Sequence, residues 1–354
     1  MTTPFGMAAV PVRPIIRVAG ATPAFALAQS LTWTWRPALD LAGNRTVPIH
    51  ALRRVMEAWA VLVPSPRGVR MRSAQIPVAD DLADDMAHPR GRPRRLSAEW
   101  SLPRDPRPGA ILYLHGGGFV VGSARTHRLI SGRLAADTGL AVLTPDYRLA
   151  PEHPFPAAFE DALAAYRYLL ASDVPPSRII IAGDSAGGHL AAGLVAHARA
   201  LGLPLPAGTL LLSPWLDLDC ATARQADRRH RDPFVSPDAA QRLAGLYIGE
   251  HDRADSRLHP LLCGQGPLPP FLIQVGGREA MGDDARNLAE SLAEADIPCR
   301  LQVWPGQIHV FQVMHHWLPA ARAAMRQAAA FAIECVERAE DDIHAGSLRE
   351  PAEI

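Results

Sequence analysis

The chain has 354 residues, 48% of them hydrophobic, which is enough for one large α/β domain with a smaller appended piece or for two ordinary domains. Its 36 basic and 36 acidic residues cancel, which argues against nucleic acid or a membrane surface as a partner and favours small substrates such as esters or amides. All the basic residues are arginine, so Schiff-base and lysine-base chemistry is excluded.

No metal or cofactor is expected. The four cysteines lie far apart without a C-x-x-C pair, and the fourteen histidines include no H-E-x-x-H motif or other recognised ligand spacing. The cysteines are therefore expected to be reduced.

The N-terminal part, residues 1–68, is predicted to form a helical cap. Apolar helical stretches are predicted at Ala24–Leu41 and Pro48–Leu62, with core packing or a lid over a site as their alternative roles. Residues 18–35 carry no charge, and a secretory signal is the alternative for this stretch. Glycine, proline and polar residues interrupt its apolarity, so we expect no stable membrane anchor and a cytoplasmic protein.

Strands and helices alternate after this cap. Two strands are predicted near Val69–Pro77 and Leu96–Leu102. Short apolar runs then indicate strands buried on both faces, at Ile111–Leu114, Ala141–Thr144, Arg178–Ala182, Thr209–Leu212, Phe271–Val275 and Arg300–Trp304. Helical runs separate them, at about Thr126–Asp137, Ala157–Ser172, Ala186–Ala200, Asp284–Ala295 and Leu318–Glu337. The pattern predicts a mostly parallel, doubly wound α/β sheet with its site at the carboxyl ends of the strands.

This catalytic domain is predicted to span residues 69–340, followed by a tail at 341–354. One interval breaks the alternation. Residues from about 215 to 268 contain no strand candidate and include a helix-prone run at Asp238–Ile248. We interpret the interval as a second part of the lid.

The segment I-L-Y-L-H-G-G-G-F places His115 and three glycines directly after a strand. Successive glycines let backbone N–H groups converge on a developing oxyanion, where side chains would obstruct them. A dinucleotide-binding loop is the competing interpretation. It fails because Val121 stands where the third glycine of that motif belongs.

A second motif, G-D-S-A-G at residues 183–187, follows the strand that starts at Arg178. It has the spacing of a nucleophile elbow, in which a serine stands on a strained strand-to-helix turn between small residues. A glycine-rich turn with an ordinary serine is the alternative for this motif alone. The glycine run about seventy residues earlier favours the elbow, with Ser185 as nucleophile and the Ala186 N–H as a third oxyanion donor.

The base and the acid are expected in the loops after the last two strands. His309, in W-P-G-Q-I-H-V-F, follows the last strand and completes the order serine, acid, histidine. The acid should follow the preceding strand, where Glu279, Asp283 and Asp284 are the candidates. Glu279 is favoured because it stands nearest the strand end, Asp283 is kept in reserve, and Asp283 or Asp284 would also suit a helix cap.

Together these segments resemble the bacterial hormone-sensitive-lipase-like esterases of the α/β-hydrolase fold. The resemblance spans roughly residues 110–331 and rests on H-G-G-G-F, D-Y-R-L-A-P-E-H-P-F-P-A, G-D-S-A-G-G, S-P-W-L-D-L and G-x-x-H. One departure is the acid. Many members carry an aspartate as the triad acid, with D-P-L following, whereas this chain has the sequence E-A-M-G-D beginning at Glu279.

The resemblance implies an N-terminal helical cap and a carboxylesterase acting on short to medium acyl esters or lactones through an acyl-enzyme. It implies an oxyanion hole formed by Gly117, Gly118 and Ala186. His115, Gly116 and Asp184 would be supporting motif residues. The D-Y-R-L-A-P-E segment would be a structural support in which Asp146, Arg148 and Glu152 are partners in a network.

The expected partner is a small ester, with a homodimer as the candidate assembly. Two other functions stay open. An acyltransferase or amidase could use the same triad, and a ligand-binding protein could keep the pocket without catalysis.

Overall fold

The computed structural model describes residues 36, 49–62, 66–78, 94–260 and 266–347. The strands are β1 (Val69–Pro77), β2 (Arg95–Pro103), β3 (Ala110–Leu114), β4 (Ala141–Pro145), β5 (Ile179–Asp184), β6 (Gly208–Leu212), β7 (Phe271–Gly276) and β8 (Cys299–Trp304). The helices are α1 (Ile49–Leu62), α2 (Arg128–Thr138), α3 (Ala157–Leu170), α4 (Ala186–Ala200), α5 (Ala221–Arg229), α6 (Pro237–Ile248), α7 (Gly282–Glu294) and α8 (Pro319–Ser347).

All eight strands belong to one sheet, in the order β1-β2-β4-β3-β5-β6-β7-β8. The pairs β1/β2 and β2/β4 are antiparallel, and the other pairs are parallel. Strands β3, β5, β6 and β7 are buried along their whole length, which explains why their sequences are unbroken apolar runs. The predicted mostly parallel α/β sheet is confirmed.

Helices cover both faces of this sheet. Helices α3 and α4 pack on the face formed by Leu112, Leu114 and Ile181. Helices α2 and α8 pack on the opposite face, which Ile111 and Ile180 present. Alternate residues of a strand point to opposite faces, so each buried strand supplies side chains to both layers of the core.

The strand order determines where a site can form. Strand β4 returns on one side of β3, and β5 returns on the other. In open α/β sheets a ligand binds at such a reversal, outside the carboxyl ends of the strands. The loops at this edge follow β3, β5, β6, β7 and β8.

The structure differs from the sequence-based element assignment in two places. Helix α5, at Ala221–Arg229, was not predicted because only Ala223 and Ala226 are buried, which leaves no apolar stripe to detect. Helix α8 continues to Ser347, past its predicted end at Glu337.

The predicted helix at residues 24–41 lies outside the described residues except for Arg36. No helix in the described ranges is both long and apolar enough to span a bilayer.

Candidate active site

Ser185 stands between the end of β5 and the start of α4, with φ 51° and ψ −119°. A Cβ added at Gly183 would lie 2.3 Å from the Gly187 oxygen, and one added at Gly187 would lie 2.0 Å from the Leu114 oxygen. Real Cβ atoms do not approach so closely, so both positions require glycine. The sharp turn exposes the Ser185 hydroxyl at the edge of the sheet.

Three distant loops bring Ser185, His309 and Glu279 together. The His309 Nε2 atom lies 2.8 Å from the Ser185 Oγ atom. Its Nδ1 atom lies 3.0 Å from Glu279 Oε2. His309 and Glu279 are 5% and 8% exposed, so the pair is shielded from water while the hydroxyl faces the site.

Glu279 is held by three donors. Besides the imidazole, its Oε1 atom accepts the Ser213 hydroxyl at 2.6 Å and the Gly276 N–H at 2.5 Å. The Ser213 hydroxyl in turn accepts the Val310 N–H at 3.0 Å. Ser213 therefore links the loop of the acid to the loop of the base.

Sequence reasoning missed the role of Ser213. The sequence contained an indication of this role, because Ser213 directly follows β6 within S-P-W-L-D-L, at the same sheet edge as the other site loops. At this position the hydroxyl contacts both the loop after β7, which carries Glu279, and the loop after β8, which carries Val310.

The electrostatics of His309 favour its protonated form. Burial alone would lower its pKa. The hydrogen bond and charge of Glu279, with the charges of Asp232 and Asp184, outweigh burial and raise the pKa above its ordinary value. An imidazolium at this position is therefore stabilised, as general-base catalysis requires.

The glycine run after β3 contains two residues with positive φ. Gly117 and Gly118 have φ values of 116° and 62°. A Cβ on Gly117 would lie 2.1 Å from the Val121 oxygen. The N–H groups of Gly117, Gly118 and Ala186 meet no acceptor among the described residues, and they are therefore available to a ligand.

A buried polar group anchors this loop from below. Asp184 Oδ1 accepts the Gly116 N–H at 2.9 Å and the Tyr113 hydroxyl at 2.5 Å. His127 Nε2 lies 3.6 Å from Asp184 Oδ2. Burial would lower the pKa of His127, but the charge and hydrogen bond of Asp184 raise it overall, so the contact favours the protonated imidazole. His127 was not singled out from the sequence.

His115 lies in the same layer and is fully buried. Its ring stacks on Tyr147 at 4.1 Å between centroids, and its Nδ1 atom lies 2.8 Å from the Gly116 oxygen. Burial, with the charge of His127, lowers the pKa of His115 to about 3. A neutral, buried imidazole suits structural support of the loop.

The other two acid candidates lie away from the imidazole. Asp283 pairs with Arg229 at 2.5 Å and with Arg286 at 3.5 Å. Asp284 is fully buried and accepts the Asp217 N–H at 3.2 Å. Neither is the N-cap of α7, which is Met281. Among the three candidates, Glu279 is the carboxylate bonded to His309.

The expected network of Asp146, Arg148 and Glu152 is wrong in its partners. Asp146 accepts the N–H of Ala124 at 2.7 Å. Arg148 pairs with Asp161 and Glu160, both at 3.0 Å. Glu152 pairs with Arg53 of α1 at 2.8 Å. The D-Y-R-L-A-P-E segment thus bonds three different parts of the chain, and its three charged side chains do not pair with one another.

The interval 215–268 contributes side chains above the site. A Cβ on Gly118 would lie 2.8 Å from a methyl group of Leu243 in α6. Tyr247, one turn further along α6, stacks on Phe119 at 3.8 Å between centroids. The ring of Phe234 lies 6.1 Å from the imidazole of His309. Apolar groups therefore face both the oxyanion loop and the base.

Within the described ranges, no cluster of three or more His, Cys, Asp or Glu residues could hold a metal ion. Cys220, Cys299 and Cys335 are free thiols.

Comparisons with known proteins match this geometry. A family model described as the α/β-hydrolase fold matches residues 111–313. An acetyl-hydrolase of Streptomyces hygroscopicus is 41% identical over 235 residues, covering 66% of this chain and 79% of the relative. The crystal structure of an esterase from the bacterial hormone-sensitive lipase family superposes with a TM-score of 0.76 at 32% identity, covering 90% of this chain and all of that one. An esterase crystal soaked with p-nitrophenyl butyrate gives a TM-score of 0.77 at 33% identity, with the same coverage of both chains.

Proposed function

Because the chain belongs to the bacterial hormone-sensitive-lipase-like esterases of the α/β-hydrolase fold, and is a serine carboxylester hydrolase, we propose that Ser185, His309 and Glu279 carry out its reaction. The observation that supports these roles is the continuous chain of contacts from the Ser185 hydroxyl through the imidazole to the carboxylate, at 2.8 Å and 3.0 Å. Geometry of this kind is what recruits a hydroxyl as a nucleophile at neutral pH.

In the first half-reaction Glu279 accepts the Nδ1–H of His309, which leaves Nε2 free to take the Ser185 proton. The Ser185 oxygen forms a bond to the ester carbonyl carbon, and the carbonyl electron pair moves onto its oxygen. The N–H groups of Gly117, Gly118 and Ala186 stabilise this oxyanion. His309 then returns the proton to the alcohol oxygen as the carbon–oxygen bond breaks, leaving Ser185 acylated.

In the second half-reaction a water molecule takes the place of the alcohol. His309 removes its proton, and the resulting hydroxide attacks the acyl carbon. The same three N–H groups stabilise the second oxyanion. The bond to the Ser185 oxygen breaks, His309 protonates that oxygen, and the carboxylic acid leaves.

We propose short to medium acyl esters, or lactones, as the substrates. Leu243 packs against Gly118, so an acyl group bound at the oxyanion loop meets a branched side chain at once. The stack of Phe119 on Tyr247 fills further space beside it. An acetyl-hydrolase among the relatives, and a structural neighbour soaked with a butyrate ester, support the same size class.

We also propose that α1 and the interval 215–268 form a lid. Arg53 of α1 donates to the Val120 oxygen at 2.6 Å, directly after the glycine loop, and Glu57 accepts the Ser123 hydroxyl at 2.5 Å. These bonds attach α1 to the loop that would stabilise the oxyanion. The boundary of the cap at residue 68, a homodimeric assembly and a cytoplasmic location stay predictions.

The test is the Ser185→Ala variant with p-nitrophenyl esters of increasing chain length. We expect turnover to fall by about 10⁶, as loss of a triad nucleophile does, while the thermal unfolding midpoint is kept. A fluorophosphonate should label Ser185 in the wild type and nothing in the variant. Retained hydrolysis by Ser185→Ala would refute the assignment, and an unlabelled, inactive wild type would favour a binding protein.

A further inference from the structure

Asp232 lies in the connector between α5 and α6 and is fully buried. Its Oδ2 atom accepts the N–H of Ala280, the residue after Glu279, at 2.8 Å. Its Oδ1 atom accepts the N–H groups of Phe234 and Val235 at 2.7 Å and 3.0 Å. One carboxylate thus joins the turn that carries the triad acid to the lid segment above it.

The lid end of this link also reaches the base. Phe234, whose N–H is bonded to Asp232, has its ring 6.1 Å from the imidazole of His309, with the two planes inclined by 31°. Asp232 therefore holds two neighbours of the same imidazole, the acid on one side and an aromatic ring on another. A displacement of this carboxylate would disturb both.

The charge of Asp232 follows from its contacts. Burial raises its pKa to about 6, while the N–H donors and the positive charge of His309 oppose that rise. Both oxygens accept N–H groups, an arrangement that favours the ionised form. These contacts stabilise the charged carboxylate, although it is shielded from water.

Other charged groups surround this connector. Arg36 donates to the main-chain oxygen of Asp232 at 2.5 Å and to the Asp227 carboxylate at 2.9 Å and 2.8 Å. Asp227 also accepts the Asp232 N–H at 2.7 Å. The Arg36 guanidinium thus faces Asp227 and the backbone, whereas the Asp232 carboxylate faces the triad, and its charge acts on His309 together with those of Glu279 and Asp184.

We propose that Asp232 is a positioning residue of this esterase, which fixes the turn carrying Glu279 and adds its buried negative charge to those of Glu279 and Asp184 in stabilising the His309 imidazolium. The inference rests on the proposed function, because Asp232 acts only through Glu279 and His309. It assigns to the lid connector a direct part in setting the basicity of the catalytic imidazole.

The test is the pH dependence of kcat/KM for Asp232→Asn with p-nitrophenyl butyrate. The variant loses the charge and turns an N–H₂ group toward one set of donors. We expect the acid limb to move to lower pH by about one unit, since an opposite charge near an imidazolium changes its pKa by about that much or more. The plateau should fall about tenfold, because one pKa unit is a factor of ten in imidazolium stability. KM should change little.

Asp161→Asn is the matched control. Asp161 is equally buried, accepts the backbone N–H of Arg148 at 2.8 Å and pairs with arginine, but it contacts no residue of the triad. Both variants should lose thermal stability, and Asp232→Asn alone should move the acid limb. Asp232→Glu, which keeps the charge but displaces the oxygens, should lower the plateau with the limb in place.

An acid limb and plateau of wild-type value in Asp232→Asn would overturn the proposal, as would an equal shift in Asp161→Asn. If Asp232→Asn does not fold, Asp232→Ser, which keeps an acceptor without the charge, supplies the comparison. Failure of both to fold would assign Asp232 to the fold alone. Fluorophosphonate labelling of Ser185 separates the two proposals. A wild type labelled at Ser185 with an unmoved limb in the variant refutes only the role of Asp232.

Discussion

Replacing Glu279 by glutamine tests which carboxylate completes the triad. Glu279 Oε1 accepts two donors, the Ser213 hydroxyl at 2.6 Å and the Gly276 N–H at 2.5 Å. A glutamine keeps both bonds only if its oxygen occupies that position. Its N–H₂ group must then face His309 Nδ1, where Oε2 now lies at 3.0 Å.

This exchange reverses the tautomer of the imidazole. With an N–H₂ group opposite it, Nδ1 must accept a hydrogen bond, so the ring proton moves to Nε2 and points at Ser185. A protonated Nε2 cannot remove the hydroxyl proton. The same acid-to-amide change in a serine protease triad costs about 10⁴ in kcat. We expect a loss of that order, equivalent to about 5 kcal/mol of transition-state stabilisation.

The assay is the steady-state hydrolysis of p-nitrophenyl butyrate, with KM reported separately from kcat. Asp283→Asn is the control, because Asp283 pairs with Arg229 at the surface and should change kcat less than about twofold. Circular dichroism should show the same fold for both variants. A larger loss in Asp283→Asn than in Glu279→Gln would show that the hydrogen-bonded carboxylate is not the working acid.

Three further substitutions probe the surroundings of the triad. Gly117→Ala places a Cβ 2.1 Å from the Val121 oxygen at a φ of 116°, so we expect kcat to fall at least about 10²-fold and the unfolding midpoint to drop; a fully active variant would contradict the oxyanion assignment. Ser213→Ala removes a hydrogen bond to a charged group, worth about 1.5–3 kcal/mol, and kcat should fall about 10- to 100-fold, whereas an unchanged kcat would remove Ser213 from the site. Leu243→Ala opens space beside Gly118, and the ratio of kcat/KM for octanoate over butyrate esters should rise about tenfold; an unchanged ratio would place the acyl chain elsewhere.

The sequence was most informative where a residue's neighbours along the chain determine its conformation. The apolar run before Ser185 and the glycines on either side of it specify the strand and the sharp turn together. The conformation of the glycine-rich run at residues 115–118 is likewise determined by its neighbours along the chain. Both motifs lie at the same sheet edge because β3 and β5 pair in parallel. The unbroken apolar runs of these strands, in which apolar and polar residues do not alternate, indicated that pairing.

The identity of the acid depends on packing that no local pattern records. Glu279, Asp283 and Asp284 lie within six residues of one another, and each is compatible with a loop after β7. The turn that presents Glu279 is closed by bonds to the neighbouring strand's loop, from the Gly277 N–H to the Trp304 oxygen and from the Arg278 N–H to the Gln307 oxygen. These partners lie about thirty residues away, so sequence position alone could only rank the candidates.

No sequence pattern identified Asp232 as a residue of the site. It stands in a polar connector without strand periodicity, where an aspartate before a proline suggests only a turn. Its importance comes from the contact with Ala280, 48 residues away, and from complete burial. A buried carboxylate is costly unless several donors satisfy it, and only the folded connector shows that three N–H groups do so.

Backbone strain shows how the separate loops become one site. Six non-glycine residues in the described part of the chain have positive φ, and four of them belong to the site loops: Phe119, Ser185, Ser213 and Val310. Such conformations cost about 1–3 kcal/mol each and persist only where the surroundings enforce them. Here backbone bonds between neighbouring loops do so, from the Ser185 N–H to the Leu212 oxygen at 3.0 Å and from the Ser213 N–H to the Gln274 oxygen at 2.7 Å. Ser185 and Ser213 are thus each held by the next strand across the sheet, and their hydroxyls contact the imidazole and the acid. The rigidity of the sheet edge is therefore what positions the triad, and any variant that relaxes one of these turns should lose kcat before it loses the fold.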